Sequence, residues 1–358
     1  MQTVNRNVVL DFLRFVGVSL TLFRHLIFPS GIEHVEWLRI LKRGGWVGVD
    51  LFFVLSGFLV SGLILKEIQS TGKFSPGNFL IRRGFKIYPS YYVFLIFTFL
   101  VFIVKPNYPI TGTGFLSEAV FINNYIRGDH DWLWSIAVEE HFYLLLAILL
   151  FFLLRWDKLN LKVVVSVYLI FLIVGFYART INYFGRTEFD WFVEVGKSHF
   201  RFDSLFFGVL LSYLYHFAPQ HIALIRKASW IIIPISICYL ATNFIFPIES
   251  ARWVALISLS LNPIFFGLIM VILLDEKFLH QSSIVKRFAF IGKYSYPIYL
   301  FHGVINIFFW AHFSFWLYVT FFFVSSLGLG ILVSKAIEYP VLKFRDAHFP
   351  SRNSPLIK

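Results

Sequence analysis

Four ionisable residues interrupt the first apolar run of the chain: Asp11 and Arg14, three apart, then Arg24 and His25, the last eleven beyond Arg14. On a helix Asp11 and Arg14 share a face and can pair. Eleven residues make about three turns, so His25 returns to the face of Arg14 with roughly 16 Å of rise between them. A charged side chain at the centre of a hydrocarbon layer costs about 2.5–3.5 kcal/mol on insertion scales, which makes each of these a candidate for function. One stripe therefore offers a cation toward one end and a proton acceptor toward the other. The plain alternative is a structural ion pair, with the histidine at a helix end where it costs little.

Trp134-Ser135-Ile136-Ala137-Val138-Glu139-Glu140-His141-Phe142-Tyr143 places two adjacent carboxylates at the head of another apolar run. Neighbouring helical positions point about 100° apart, so only one of Glu139 and Glu140 can face a single pocket squarely. A carboxylate beside an imidazole fixes its tautomer and raises its basicity. An acidic pair at a helix start is also favoured by the dipole alone. Arg201 and Asp203 open a further run, and Ser295, Tyr296, Tyr299 and His302 lie along a later one. His302 falls near the middle of that run, where a satisfied core histidine is the simpler reading. Glu338 follows Lys335 by three residues and reads as a surface pair. Arg82, Arg83 and Lys86, within Phe79-Leu80-Ile81-Arg82-Arg83-Gly84-Phe85-Lys86-Ile87-Tyr88-Pro89, precede an apolar run. Such cations suit phospholipid headgroups, and equally the phosphates of a cytosolic cofactor.

These residues must be carried by membrane elements. The chain has 358 residues, 58% hydrophobic and only 15% charged, with 46 Phe and a mean hydropathy of +0.72. Soluble domains run near 25% charged, so disorder, coiled coil and an ordinary soluble enzyme are excluded. Ten stretches approach the roughly 20 apolar residues that a spanning helix needs. They are about 8–28, 45–65, 88–104, 133–154, 162–178, 202–217, 229–246, 253–274, 294–311 and 315–337. The expected fold is all-α, a polytopic membrane helix bundle with about ten transmembrane helices. Residues 1–346 form a single transmembrane domain and 347–358 a short cytoplasmic tail. The first run is expected to be retained as a span, since no small-residue cleavage site follows it.

Lys and Arg number 32 against 20 Asp and Glu, a net charge of +12. In a soluble chain this would raise nucleic acid as a partner. Here the cations fall in roughly twofold excess on the side of the termini, which places both termini in the cytoplasm against anionic lipid. No nucleic-acid partner is expected. The connection over 66–87 is then cytoplasmic and basic, while 105–132 and 179–201 are external and rich in aromatic and acidic residues. A single cysteine, Cys238, provides neither a thiol relay nor a Cys-rich metal site, and no metal is expected. The sequence lacks a P-loop, a Gly-x-Ser-x-Gly elbow, a His-Glu-x-x-His helix and a DHHC-type motif, which argues against nucleotide hydrolysis, serine hydrolysis, zinc proteolysis and thiol-mediated palmitoyl transfer.

Taken in order, the segments resemble the integral membrane acyltransferase family 3, which includes bacterial surface-polysaccharide O-acetyltransferases. The resemblance runs from about residue 6 to 346. It rests on Leu10-Asp11-x-x-Arg14 with His25, then Gly48-Val49-Asp50-Leu51-Phe52-Phe53-Val54-Leu55-Ser56-Gly57-Phe58. Arg82-Arg83-x-x-Lys86-Ile87-Tyr88-Pro89, Trp134-Ser135-x-x-Val138-Glu139-Glu140-x-Phe142-Tyr143 and Arg201-x-Asp203 follow. Tyr296-Pro297-Ile298-Tyr299-Leu300-Phe301-His302 and Glu338-Tyr339-Pro340 close the series. Each segment alone is unspecific; the ordered set is specific.

The resemblance implies acetyl transfer from cytosolic acetyl-CoA to a hydroxyl of a surface or lipid-linked glycan. O-antigen or lipopolysaccharide is the default acceptor, in a bacterial cytoplasmic (inner) membrane. Arg14 and His25 match the family's Arg-x10-His motif, with His25 the catalytic base. Arg83 and Lys86 match its Arg-x-x-Arg element toward the acyl donor, together with Arg82. Lys86 departs from that pattern, keeping the charge but not bidentate geometry, and His141 stands where Gln is common. Glu139 is expected to orient His25 and Ser56 to support the oxyanion. Asp11 pairs with Arg14, and Trp134, Ser135, Arg201, Asp203 and His302 are assigned to the acceptor side. Related proteins often carry an appended extracytoplasmic domain for the last transfer step. This chain ends soon after the tenth span, so it is expected to finish the transfer itself or through a partner transferase. The rival from another class is a transporter or flippase for lipid-linked sugars, which also suits ten spans and intramembrane charges.

Overall fold

The computed structural model describes residues 7–28, 35–104, 110–309 and 314–350. The tail expected over 347–358 lies outside the described residues from 351 onward. Among the described residues every regular element is helical. In chain order they are α1 (Val8–Arg24), α2 (Glu36–Gly44), α3 (Val47–Thr71), α4 (Pro76–Val104), α5 (Gly112–Ala119), α6 (Trp134–Arg155) and α7 (Leu161–Phe184). Then come α8 (Trp191–Glu194), α9 (Phe202–Phe217), α10 (Pro219–Lys227), α11 (Ser229–Ile245), α12 (Arg252–Leu273), α13 (Lys277–Gln281) and α14 (Ser283–Gly292). The series ends with α15 (Ser295–Phe309), α16 (Phe315–Val333) and α17 (Tyr339–His348).

A helix falls on each of the ten predicted stretches. Among the described residues six helical segments are long and apolar enough to cross a membrane, or up to seven if α10 and α11, bent by 76°, form one span. The shortfall from ten is a matter of length. Helices α1 and α9 have 17 and 16 residues and α15 has 15 among the described residues, below the roughly 20 that a perpendicular crossing takes. Helix α7 turns Leu169, Ile170, Ile173, Val174, Phe176 and Tyr177 outward, which suits contact with lipid tails rather than water. The chain is a multi-pass membrane protein.

The chain divides into two compact units interleaved in sequence. The first comprises Met1–Ser56, Tyr183–Phe189 and Ala218–Ile331, the second Gly57–Asn182, Asp190–Phe217 and Leu332–Lys358. One boundary falls inside α3, so no loop between hydrophobic runs marks it.

In the first unit α1 packs on α14. A Cβ on Gly292 would collide with the carbonyl oxygen of Asp11, so the glycine permits the close approach of two backbones. One turn away Phe15 stacks on Phe288, ring centroids 4.6 Å apart. Asn7 caps α1, its side-chain oxygen accepting the N–H groups of Val9 and Leu10. In the second unit Gly57 plays the same part as Gly292, because a Cβ there would strike the carbonyl oxygen of Leu205 in α9. Between α16 and α17, Ser334–Glu338 is a π-helical turn. Pro340 explains it: with no N–H, proline cannot bond back to residue 336, and the ladder widens.

Candidate functional site

The sequence-predicted residues divide between the units. Asp11, Arg14, His25, Ser56 and His302 belong to the first, and Arg82, Arg83, Lys86, Trp134, Ser135, Glu139, Arg201 and Asp203 to the second.

His25 lies at the C-cap of α1, where the chain leaves the helix and its ring is only half-buried. Its Nδ1 is 2.9 Å from the carbonyl oxygen of Thr21. A carbonyl can only accept, so Nδ1 carries the hydrogen and, in the neutral ring, Nε2 carries the lone pair. The backbone of this turn is held from several elements. Asn306 of α15 donates from Nδ2 to the His25 carbonyl at 2.7 Å. The Tyr318 hydroxyl of α16 donates to Asn306 Oδ1 at 2.7 Å and accepts the Ile27 N–H at 3.1 Å. Lys42 of α2 donates from Nζ to the Leu26 carbonyl at 2.6 Å. The ring of His302 packs on that of His25, with centroids 4.7 Å apart and planes inclined by 58°.

Further along α1, Arg14 and Asp11 pair at 2.6 Å, as their spacing predicts. Asp11 is buried while Arg14 stays partly open. Ser56 is half-buried on α3. One turn and a half before it, Asp50 is fully buried and accepts from Asn262 of α12 at 2.8 Å. Asn243 of α11 in turn donates to Asn262 at 2.9 Å, so three helices share one polar chain inside the unit.

In the second unit the cationic cluster on α4 is already engaged. Arg82 donates to Asp346 at 3.1 Å and to the Phe349 carbonyl. Arg83 lies over the Tyr143 ring, 5.7 Å from its centroid. Lys86 forms an ion pair with Glu338. Glu338 is therefore not the surface partner of Lys335: it is 4% exposed, and the widened turn before Pro340 aims it at α4. Its second oxygen accepts from Ser334 at 3.2 Å.

Both acidic residues of α6 are held by tyrosine hydroxyls, Glu139 by Tyr143 and Glu140 by Tyr88, the latter at 3.0 Å. Ser135 is buried. The buried Arg201 places its guanidinium 6.0 Å from the centre of the Trp134 ring, which joins two residues predicted for the acceptor side. Asp203 is held by Arg179 of α7 at 2.9 Å, a partner that sequence spacing does not reveal. Between α4 and α6 a second buried pair closes a loop. Glu118 of α5 accepts the His130 N–H at 2.6 Å and contacts His130 Nδ1 at 2.9 Å. His199, in the short turn before α9, is pushed below its ordinary value by burial and, secondarily, by Lys197. Among the described residues no group of three or more His, Cys, Asp and Glu could hold a metal ion.

Sequence reading overlooks Asn306, Tyr318 and Lys42 around His25. Asn306 carried a signal, since it lies four residues after His302 and so shares its helix face.

The family model described as an acyltransferase domain matches residues 7–335. The O-acetyltransferase OatA of Staphylococcus aureus strain NCTC 8325 is 30% identical over 324 residues, covering 84% of this chain and 50% of its own. OatA of S. aureus strain COL matches to the same extent. Another protein of strain COL, named only provisionally as an O-acetyltransferase, is 27% identical over 333 residues, covering 82% of this chain and 49% of its own. The chain spans about half the length of the curated relatives it matches. No solved structure matches.

Proposed function

The chain belongs to the family of membrane acyltransferase domains, acyltransferase family 3, and from that premise we propose that it moves an acetyl group from cytosolic acetyl-CoA to a glycan hydroxyl. The acceptor is a surface or lipid-linked glycan, O-antigen or lipopolysaccharide first among them. In this reading ten helices cross a bacterial inner membrane with both termini in the cytoplasm, the bilayer thinning and flanking residues snorkelling around the shorter ones. The support for O-acetyl transfer is the family and the names of the S. aureus relatives.

The observation that carries the mechanism is the hydrogen bond from His25 Nδ1 to the Thr21 carbonyl. It fixes the tautomer that a general base needs and leaves the Nε2 lone pair for chemistry. His25 Nε2 takes the proton of the acceptor hydroxyl as its oxygen attacks the thioester carbonyl carbon. The carbon–sulfur bond breaks, and the imidazolium returns the proton to the departing thiolate, giving the ester and free CoA. Arg83 attracts the donor's phosphates from the cytoplasmic side. Lys86 and Arg82, tied to Glu338 and Asp346, act by holding α4 and α17 in register. Arg201 and Trp134 serve the acceptor, an aromatic face and a fixed guanidinium being suited to sugar rings and hydroxyls. Glu139 is anchored by Tyr143, and Ser56 supports the oxyanion.

The test is transfer itself. Purified protein in proteoliposomes is given acetyl-labelled acetyl-CoA and lipid-linked glycans, and alkali-labile label in the glycan is measured. Time-dependent ester label is expected. No label, with movement of the lipid-linked sugar across the bilayer, would replace this reading with the transporter.

A further inference from the structure

Helix α17 puts a second arginine beside the cationic cluster of α4. Three hydrogen bonds converge on one oxygen, Oδ1 of Asp346. One comes from Arg82 of α4 at 3.1 Å, and two come from the neighbouring Arg345 at 2.9 and 2.7 Å. Two guanidiniums thus share one carboxylate, and since neither can shed its proton a positive excess remains. Arg345 and Arg83 both lie near enough to repel Arg82. Holding α17 on α4 does not require Arg345. Arg82 already joins the two helices through Asp346 and the Phe349 carbonyl, and Lys86 ties α4 to Glu338 just before α17. The Phe85 ring also packs on those of Phe344 and Phe349, with centroids 5.9 and 5.5 Å apart. The bonds of Arg345 stay within its own helix, where an ion pair to an open carboxylate contributes little and a second cation beside Arg82 is a cost. The Arg345 side chain is 16% exposed, whereas the Asp346 carboxylate that it holds is 56% exposed.

We propose that Arg345 is a second phosphate-binding residue for the acyl donor, acting with Arg82 as a clamp in which Asp346 holds the place of the phosphate until the donor arrives. The inference rests on acetyl-CoA being the donor. A phosphate presents two or three charged oxygens where the carboxylate offers one to both arginines, so each guanidinium takes an oxygen of its own and the excess charge is met. The open side of Asp346 gives an incoming anion its approach. The exchange leaves α17 in place, because Arg82 uses different nitrogens for its two bonds, Nη2 for Asp346 and Nη1 for the Phe349 carbonyl. Lipid headgroups carry the same phosphate chemistry. The donor is favoured because the clamp is built on the turn of α4 that carries Arg83, the residue this reading gives to the donor's phosphates.

Two variants should move binding in opposite directions. Arg345→Ala removes one arm of the clamp and is expected to weaken acetyl-CoA binding about tenfold, as for one charge-assisted contact. Asp346→Asn keeps an oxygen for Arg82 but discharges the placeholder, and is expected to tighten binding about two- to fivefold, the worth of an exposed ion pair. A merely structural role moves both the same way or neither. Calorimetric titration of acetyl-CoA into the full chain, in neutral detergent free of phospholipid, reads both, with thermal melting beside it to show that each variant is folded. Unchanged affinity in Arg345→Ala, or unchanged or weaker binding in Asp346→Asn, would overturn the proposal. Melting in nanodiscs of phosphatidylglycerol and of phosphatidylcholine tests for a lipid occupant. Stabilisation by phosphatidylglycerol that Arg345→Ala abolishes, with acetyl-CoA affinity left at the wild-type value, would assign the clamp to a headgroup and overturn the proposal as well. The two failures are distinguishable. If the folded wild type does not bind acetyl-CoA, the donor reading falls and this inference with it; if the wild type binds and Arg345→Ala binds equally well, only the inference falls.

Discussion

Replacing His25 by alanine is expected to lower the rate of acetyl transfer by about 10²–10⁴-fold, the usual worth of a positioned general base. The loss should appear in kcat rather than in the KM for acetyl-CoA, because the imidazole acts on the acceptor proton and not on the donor's phosphates. Folding should be little affected. The Thr21 carbonyl that anchors the ring also accepts the His25 backbone N–H at 3.2 Å, so the end of α1 keeps a closing bond. The grips of Asn306 and Lys42 fall on the carbonyls of His25 and Leu26 and survive the substitution. His25→Asn, whose amide can still donate to Thr21, should be equally inactive. Label incorporation measured beside thermal melting in detergent separates the two effects. A folded His25→Ala protein with wild-type kcat would remove the base from the mechanism.

The largest stability effect is expected at Arg179. The Arg179–Asp203 pair joins α7 to α9 at 2.9 Å with both side chains almost wholly buried, 3% and 2% exposed. Arg179 also donates to the Phe200 carbonyl, and Asp203 accepts the Ser204 N–H at 2.9 Å. Arg179→Met strands a carboxylate out of reach of water, at a cost of about 3–5 kcal/mol. Replacing both partners by apolar residues of similar size, Arg179→Met with Asp203→Leu, should recover most of the loss, since no unpaired charge remains. Melting of the purified protein in detergent reads this directly. Equal destabilisation in the single and double variants would show that the pair stabilises the unit by more than mutual neutralisation.

Much of the helical framework is legible in the sequence because apolar runs declare membrane helices. All ten predicted stretches contain one. Their number as spans is less legible, since the ends of α1 and α9 depend on caps and turns that apolar composition does not encode. Local pairs can be read as well: Asp11 and Arg14 are three apart and do pair. Contacts distant in sequence cannot. Helical periodicity tells which face a residue occupies and is silent on the partner that covers it. Hence Lys86 finds Glu338, 252 residues away, where spacing pointed to Lys335. Asp203 finds Arg179, 24 residues away, in the same way. The pairing of His25 with His302 was likewise hidden, although both had been singled out as intramembrane histidines.

The central claim is that acetyl-CoA is the donor, and calorimetric titration of acetyl-CoA into the purified protein tests it without knowledge of the acceptor. Arg83→Ala is the comparison, read beside thermal melting, because Arg83 also lies over the Tyr143 ring and loss of binding must be separated from loss of fold. Saturable binding by the wild type, weakened in a folded Arg83→Ala variant by about tenfold, as for one charge-assisted phosphate contact, is the result predicted. No binding by a folded wild-type protein would contradict the account and put transport of a lipid-linked sugar in its place.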